Sequence, residues 1–277
     1  MCGVVSFLSF DILSKDNAKI KYVKKLISNG NFRKKEKYFV VEGFRLCYEA
    51  FLSNVLINEV FYTESAVAKF SDKLKCIIDS SKNAYKVSEE ILKSISDTKT
   101  PQGIVCVCEK LDKHFSLNTI MNMGKFIILE NIQDPANLGT ILRTAEALGI
   151  NFVIMSNDCC DIYNAKVLRG SMGAVFRVNV IFSDKISDVI RFLQLNNNVK
   201  TYAAVPDKSA AMITDVRLNE ENSVGIAIGN EGNGLSTEII NCCDAKVTIP
   251  MLGRAESLNA AMAAGILMWE MMRNSRE

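Results

Sequence analysis

The feature that most constrains the fold is an alternation of short apolar runs and amphipathic segments after residue 124. Runs such as KFIILE, NFVIM and SVGIAIG are apolar almost throughout, without the polar alternation of a half-exposed strand. A strand of this kind is buried on both faces, as in a parallel sheet that helices cover on both sides. The sequence therefore predicts an α/β domain with a mostly parallel sheet over residues 125–277.

A smaller α/β pattern precedes this domain. The runs KYFVVEG, VLINEVFYT and GIVCVCE are typical of strands, and a helix with apolar residues at helical spacing is predicted over 17–28. We predict a domain over 15–112, an N-terminal segment over 1–14 and a linker over 113–124. A chain of 277 residues is long enough for two such domains.

Several classes of protein are disfavoured by composition. No apolar run reaches the roughly 18–20 residues that cross a bilayer, so no membrane association is predicted. Nine cysteines without a C-x-x-C pair are interpreted as reduced thiols of a cytoplasmic protein. Because His114 is the only histidine, the usual zinc ligand sets cannot be assembled, and no metal site is predicted.

Basic side chains are concentrated near the N-terminus. Residues 15–37 carry nine basic and two acidic side chains, although the formal net charge of the chain is only +2. Such a cluster is expected of a protein that binds a phosphate backbone, but a solvated helix face explains it equally well. The candidate side chains for contacts with such a backbone are Lys19, Lys21, Lys24, Lys25, Arg33, Lys34 and Lys35.

Polar residues also gather at the start of a predicted helix over 137–148. Asp134 and Pro135 form a turn after a strand, and Asn137 is the candidate N-cap. At 100° per residue, Arg143 lies roughly 140° from Leu138 on the apolar stripe, so it projects away from the core. A solvated arginine is the simpler interpretation of this residue alone.

Two further loops follow the ends of predicted strands. Glycines at 229, 232 and 234 require a tight bend, but Glu231 between them would repel a pyrophosphate, which disfavours a nucleotide-dependent oxidoreductase. The last loop leads to Ser257, the candidate cap of an alanine-rich helix that reaches residue 272. Ligands of open α/β sheets bind at the carboxyl ends of strands, where all three loops are predicted to lie.

Taken together, these loops resemble the three motifs of the SpoU-type (TrmH-family) RNA ribose 2′-O-methyltransferases of the SPOUT superfamily. The matching patterns are N-x-G-x-x-x-R-T-A, G-N-E-G-x-G and I-P-M-x-G-x-x-x-S-L-N, and the resemblance covers residues 125–272. The stretch TPQGI at 100–104 resembles the end of the family's substrate-binding extension, which is similar to small ribosomal proteins that hold RNA. That likeness favours the RNA interpretation of the basic cluster.

The resemblance implies methyl transfer from S-adenosylmethionine to a ribose 2′-hydroxyl, in ribosomal RNA rather than in transfer RNA. It also implies a deep trefoil knot in the C-terminal domain and a homodimer with its active site at the subunit interface. The implied cofactor contacts are Ala204, Gly229, Ile249, Met251 and Leu258. The matched polar positions, taken as candidate catalytic residues, are Asn137, Arg143, Glu231, Ser257 and Asn259.

The family proposal makes Arg143 the general base. A guanidinium with a pKa above about 12 rarely deprotonates, so gripping a phosphate and stabilising a developing alkoxide is the safer role. Glu231 and Asn137 would orient Arg143 or the ribose, and Asn259 would shape its loop. The alternative function is a non-catalytic RNA-binding or ribosome-assembly factor, which would not bind S-adenosylmethionine. The target nucleotide and its base stay open.

Overall fold

The structure is a computed structural model that describes residues 9–111 and 124–273. His114, most of the predicted linker and the first eight residues lie outside the described residues. The chain divides into two compact units, Met1–Asp112 with Tyr163–Phe176, and Lys113–Ile162 with Arg177–Glu277. The sequence-based boundaries assign Tyr163–Phe176 to the second domain, whereas its contacts group it with the first unit.

Five strands form the sheet of the first unit, in the order β1-β4-β3-β5-β2. The strands β1, β4 and β3 are parallel, and β5 is antiparallel to both β3 and β2. The elements are β1 (Ser9–Ile12), α1 (Ala18–Ser28), α2 (Gly30–Lys35), β2 (Tyr38–Glu42), α3 (Phe44–Leu52), β3 (Ile57–Tyr62), α4 (Glu64–Ser80), β4 (Asn83–Val87), α5 (Glu89–Ser94) and β5 (Ile104–Glu109).

The predicted first helix forms as α1. Asn17 caps it by accepting a hydrogen bond from the Lys19 amide at 2.9 Å, and its apolar face is fully buried. The helix ends at Ser28, as predicted, and Asn29 then caps α2 by accepting a hydrogen bond from the Phe32 amide at 2.9 Å.

Seven strands form the sheet of the second unit, in the order β10-β12-β9-β11-β6-β7-β8, and every pairing is parallel. This confirms the predicted α/β fold with a mostly parallel sheet. The elements after residue 124 are β6 (Lys125–Leu129), α6 (Pro135–Ala147), β7 (Phe152–Ser156), α7 (Ala165–Ser171), a 3₁₀ turn (Ala174–Phe176), β8 (Val180–Ser183), α8 (Ile186–Asn197), β9 (Lys200–Ala204), β10 (Ala211–Met212), β11 (Val224–Ile228), α9 (Thr237–Cys242), β12 (Ala245–Thr248) and α10 (Ala260–Met272).

The segment Tyr163–Phe176, which contains α7, completes the core of the first unit. The ring of Phe39 on β2 is fully buried and lies 4.4 Å from the Tyr163 ring and 6.3 Å from the Phe176 ring, measured between centroids. Gly173 has a φ of +90°, and a Cβ there would lie 2.8 Å from the Glu49 Cβ. Both the backbone conformation and the close approach therefore require glycine at this position.

The described cysteines are all unpaired, and Cys76 is exposed while Cys47, Cys106, Cys108 and Cys159 are buried. Burial raises the pKa of the Cys106 and Cys108 thiols well above its ordinary value. Over 9–111 and 124–273, no group of His, Cys, Asp and Glu could hold a metal ion. None of the helices in these ranges is long and apolar enough to span a membrane.

Candidate active site

Three loops of the second unit follow strands of the parallel sheet at its carboxyl edge. Residues 130–134 follow β6, residues 229–236 follow β11, and residues 249–259 follow β12. The strands β6 and β11 are neighbours, and β9 separates β11 from β12. This arrangement brings the three sequence motifs to one edge of the sheet.

The first motif begins α6 in a different way from the one predicted. Asp134 is the N-cap, since its carboxylate accepts a hydrogen bond from the Ala136 amide at 2.9 Å, and Pro135 occupies the first helical position. The prediction that Asn137 is the N-cap is therefore wrong. Asn137 lies inside the helix and is 6% exposed. Because its side-chain amide does not cap the helix, it can form hydrogen bonds with other loops.

A continuous chain of hydrogen bonds joins the three motifs through Asn137. Its Nδ2 donates to Oε1 of Glu231 at 3.0 Å, and its Oδ1 accepts from Nδ2 of Asn259 at 2.9 Å. Oδ1 of Asn259 accepts hydrogen bonds from the amides of Ala261 and Met262 at 3.0 and 3.2 Å. Asn259, and not Ser257 as predicted, is thus the N-cap of α10.

Glu231 is held as a carboxylate by donors from the first motif. Besides Asn137, the backbone amides of Gln133 and Asp134 donate to its two oxygens, each at 3.3 Å. Partial burial raises the pKa of Glu231, but the hydrogen bond from Asn137 and the backbone amides together outweigh it and lower the pKa below its ordinary value. Glu231 is therefore ionised at neutral pH and acts as a hydrogen-bond acceptor.

The two ends of the glycine-rich turn pack tightly against each other, backbone to backbone. A Cβ at Gly229 would lie 2.2 Å from the backbone of Gly234, so no other residue fits there without moving the backbone. Asn230 and Gly234 exchange backbone hydrogen bonds at 3.0 and 2.9 Å, and Gly234 has a φ of +69°. The turn needs glycine at both positions.

The same turn is attached to the end of β6 by two side chains that the sequence analysis missed. The Glu130 carboxylate accepts from both the amide and the hydroxyl of Ser236, each at 2.7 Å. Nδ2 of Asn230 donates to the Asn131 carbonyl at 2.9 Å. Glu130 is the last residue of the run KFIILE, directly before the first motif. This place in the sequence was the one signal that could have identified it.

Beside these loops lies a cavity of about 540 Å³, a volume within the range of small-molecule sites. Its walls include the predicted cofactor contacts Ala204, Gly229, Ile249, Met251 and Leu258. Glu231, Ser257 and Asn259 also line it, and Asn137 reaches it through the hydrogen bonds described above. The structure therefore brings together the predicted cofactor residues and four of the five predicted catalytic residues.

Arg143, the fifth, lies on the exposed side of α6 and does not line the cavity. Within the described residues it makes no hydrogen bond or ion pair. The Ser257 hydroxyl is likewise exposed and has no hydrogen-bond partner in this part of the chain. Both side chains are thus available to a substrate or to another chain.

The predicted RNA-binding cluster belongs to the first unit. Lys21, Lys25, Lys34 and Lys35 are exposed, Lys24 is half-buried, and Lys19 is half-buried in an ion pair with Glu59.

Arg33 differs from the lysines of this cluster. It is only 4% exposed, and its Nη1 donates to the carbonyls of Leu26 and Ile27 at 2.6 and 3.2 Å, at the C-terminal end of α1. The prediction that Arg33 contacts RNA is wrong, because its guanidinium stabilises α1.

A parallel α/β sheet whose strand-end loops join three motifs around one small-molecule cavity is the arrangement that the resemblance to SPOUT methyltransferases implies. Comparison with known families agrees: the SpoU rRNA Methylase family matches residues 124–269, and the MRM3-like substrate binding domain matches residues 17–106. The chain belongs to the SpoU rRNA methylase family.

Relatives match nearly the whole chain. The 23S rRNA (guanosine(2553)-2′-O)-methyltransferase RlmP of Bacillus subtilis (strain 168) is 30% identical over 260 residues, which cover 94% of this chain and 98% of that protein. The mitochondrial rRNA methyltransferase 3 of Homo sapiens is 26% identical and covers 98% of this chain and 76% of its own. The crystal structure of the AdoMet-bound rRNA methyltransferase from Sinorhizobium meliloti matches with a TM-score of 0.84 and 25% identity, over 96% of this chain and 98% of that one.

Proposed function

We propose that this protein transfers a methyl group from S-adenosylmethionine to a ribose 2′-hydroxyl of ribosomal RNA. The observation that carries the proposal is the hydrogen-bonded chain from Glu231 through Asn137 to Asn259 beside the cavity. Relatives named as rRNA methyltransferases, among them RlmP and the AdoMet-bound protein, support the substrate and the cofactor. Transfer RNA is the less favoured substrate.

The cavity fits S-adenosylmethionine by its composition. Apolar side chains, including Ile228, Leu235 and Leu267, suit the adenine ring, and backbone groups of the glycine-rich turn can fix its polar edge. The ionised Glu231 on the wall favours a ligand that carries a positive sulfonium. When bound, S-adenosylmethionine supplies the electrophilic methyl group.

The residues of the chain then bind and align the RNA. Arg143 grips the phosphate beside the reacting ribose and stabilises the negative charge that develops on the 2′-oxygen. A guanidinium keeps its proton in a protein, so Arg143 does not act as the base. Glu231, Asn137 and Asn259 are positioning residues that fix the three loops, and Ser257 offers a free hydroxyl at the cavity wall.

The proposal has two further parts, one on the fold and one on the oligomeric state. The C-terminal domain contains a deep trefoil knot, a proposal that the match to the AdoMet-bound relative supports at the level of the fold. The protein is a homodimer in which α10 contributes to the interface. Supporting this, Met262 and Trp269 lie one heptad apart on α10 and are 60% and 55% exposed, an apolar stripe unusual on a free surface.

RNA contacts of the first unit are assigned to the lysines of the basic cluster, namely Lys19, Lys21, Lys24, Lys25, Lys34 and Lys35. The match of residues 17–106 to a substrate binding domain supports this assignment. The cytoplasmic location and the boundaries 15–112 and 125–277 stay predictions.

The decisive experiment incubates the protein with unmodified ribosomal RNA and methyl-labelled S-adenosylmethionine. We expect label in a single ribose, mapped by nuclease protection, and saturable binding of S-adenosylmethionine by calorimetry. Binding of ribosomal RNA without any binding of S-adenosylmethionine would contradict the proposal and establish the non-catalytic assembly factor instead.

A further inference from the structure

A second cavity, of about 360 Å³, lies wholly within the first unit. It is formed by the end of β2 and the start of α3, by the loop of residues 97–102, and by α7. The polar and charged side chains that line it are those of Glu42, Arg45, Thr98, Thr100, Gln102 and Arg169. The TPQGI stretch, which the active site does not use, supplies part of this wall.

The Glu42 carboxylate and the Gln102 carbonyl, which both line this cavity, already accept hydrogen bonds. The Glu42 carboxylate accepts from the Asp97 amide at 2.7 Å, from the Thr98 amide at 3.4 Å and from the Thr98 hydroxyl. Oε1 of Gln102 accepts from the Phe44 amide at 2.8 Å. The Asp97 carboxylate is paired with Nη2 of Arg169 at 2.7 Å.

Donors, in contrast, remain available. The exposed Arg45 guanidinium and the Nε2 group of Gln102 make no hydrogen bond to any described residue. Nη1 of Arg169 is buried and has no hydrogen-bond partner in the part of the chain that the structure describes. The exposed Lys99 lies between the lining residues Thr98 and Thr100, and it adds positive charge at the rim.

A cavity with spare donors, whose Glu42 and Gln102 oxygens already accept hydrogen bonds, fits a ligand that only accepts hydrogen bonds and carries negative charge. A phosphodiester meets this description, since its oxygens are acceptors and arginine forks match their geometry. We propose that this cavity binds a backbone phosphate of the substrate RNA, with Arg45, Gln102 and Arg169 as its ligands. This inference rests on the proposed function, and it adds an RNA contact separate from the lysines of α1 and α2.

Two substitutions at exposed positions test the site. Gln102→Glu keeps an oxygen for the Phe44 amide but replaces the free donor by a negative charge, and Arg45→Gln removes the free guanidinium. We expect each to weaken binding of an unmodified ribosomal RNA transcript about tenfold at low salt. Arg45→Gln should also reduce the slope of log affinity against log salt by about 1.

Matched controls change the charge equally elsewhere on the first unit. Asn54→Asp adds a negative charge beyond the opposite end of α3, and Lys75→Gln removes a positive charge from the exposed side of α4. We expect both to keep the affinity of the wild-type protein within about twofold, as exposed charges remote from the contact do. Thermal melting verifies that all four variants fold.

The outcomes separate this inference from the proposed function. Equal affinity of wild type, Gln102→Glu and Arg45→Gln overturns the phosphate site, while the proposed function stands if wild type methylates the RNA. A wild-type protein that binds no ribosomal RNA overturns both. Titration with inorganic phosphate should show no saturable binding at micromolar concentrations, and tight binding of that probe would assign the cavity to a small phosphate compound rather than to RNA.

Discussion

Asn137 uses both ends of one side-chain amide to connect two other loops. Its donor is directed to Glu231 and its acceptor to Asn259, at 3.0 and 2.9 Å. Aspartate offers no donor and leucine offers neither group, so asparagine is the small side chain that completes both bonds from inside a helix. One buried amide therefore fixes the relative placement of three motifs.

Arg143 gives the sharpest test of a single side chain. We expect Arg143→Ala to abolish methyl transfer, a fall of at least about 100-fold if the guanidinium stabilises the developing alkoxide. Affinity for S-adenosylmethionine should change little, because Arg143 does not line the cavity. Labelled methyl incorporation and calorimetry measure the two quantities.

Arg143→Lys is the companion variant, since it keeps the charge but loses the planar fork. Compared with Arg143→Ala, it should bind RNA more tightly because the charge is kept, but it should transfer little more methyl. Full activity of Arg143→Ala would remove this residue from the mechanism.

The pKa of Glu231 gives a prediction on acid stability. Because its folded-state pKa lies below the ordinary 4.5, its contribution to stability is complete above that value and is lost as the pH falls through the folded-state pKa. Glu231→Gln should therefore be less stable than wild type near neutral pH. The difference in the free energy of unfolding should shrink in acid, as urea unfolding at several pH values would record. A difference that is constant or grows in acid would contradict this.

Among the elements, α6 and α10 show what local sequence predicts and what it does not. Apolar spacing found both helices, but their starts were placed at Asn137 and Ser257 instead of Pro135 and Ala260. The preference of asparagine and serine for N-caps is a local rule, and here Asn137 is used in contacts 94 and 122 residues away along the chain. The convergence of the motifs was predicted because all three loops follow the carboxyl ends of strands, while the hydrogen bonds between them could not be predicted from periodicity.

Asn259 has two functions at the start of α10, and two substitutions separate them. Asn259→Ala loses the cap and leaves Oδ1 of Asn137 without its donor, so we expect a loss of about 2–3 kcal/mol in the free energy of unfolding. Asn259→Ser keeps a capping acceptor for the amides of the helix and loses the bond to Asn137, without placing a second acceptor against the Asn137 oxygen. Its stability should lie between those of wild type and Asn259→Ala in urea unfolding, and a Ser variant no better than Ala would contradict the capping function.

For the whole molecule, the apolar stripe on α10 predicts the oligomeric state. Met262→Glu and Trp269→Glu place a charge in the proposed dimer interface and should shift the protein from dimer to monomer, measured by sedimentation equilibrium. Leu195→Glu on α8 is the control, because Leu195 is 85% exposed and lies on another helix. A wild-type protein that sediments as a monomer would contradict the proposal.

The first unit is not built from one continuous stretch of chain. Phe39 needs Tyr163 and Phe176 to cover its ring, and these residues follow α6 and β7 along the chain. During synthesis on a ribosome, this unit therefore cannot finish folding when its own sheet has emerged. It must wait until about a third of the other unit has been translated, so the amino-terminal part of a nascent chain stays incomplete for longer than its length implies.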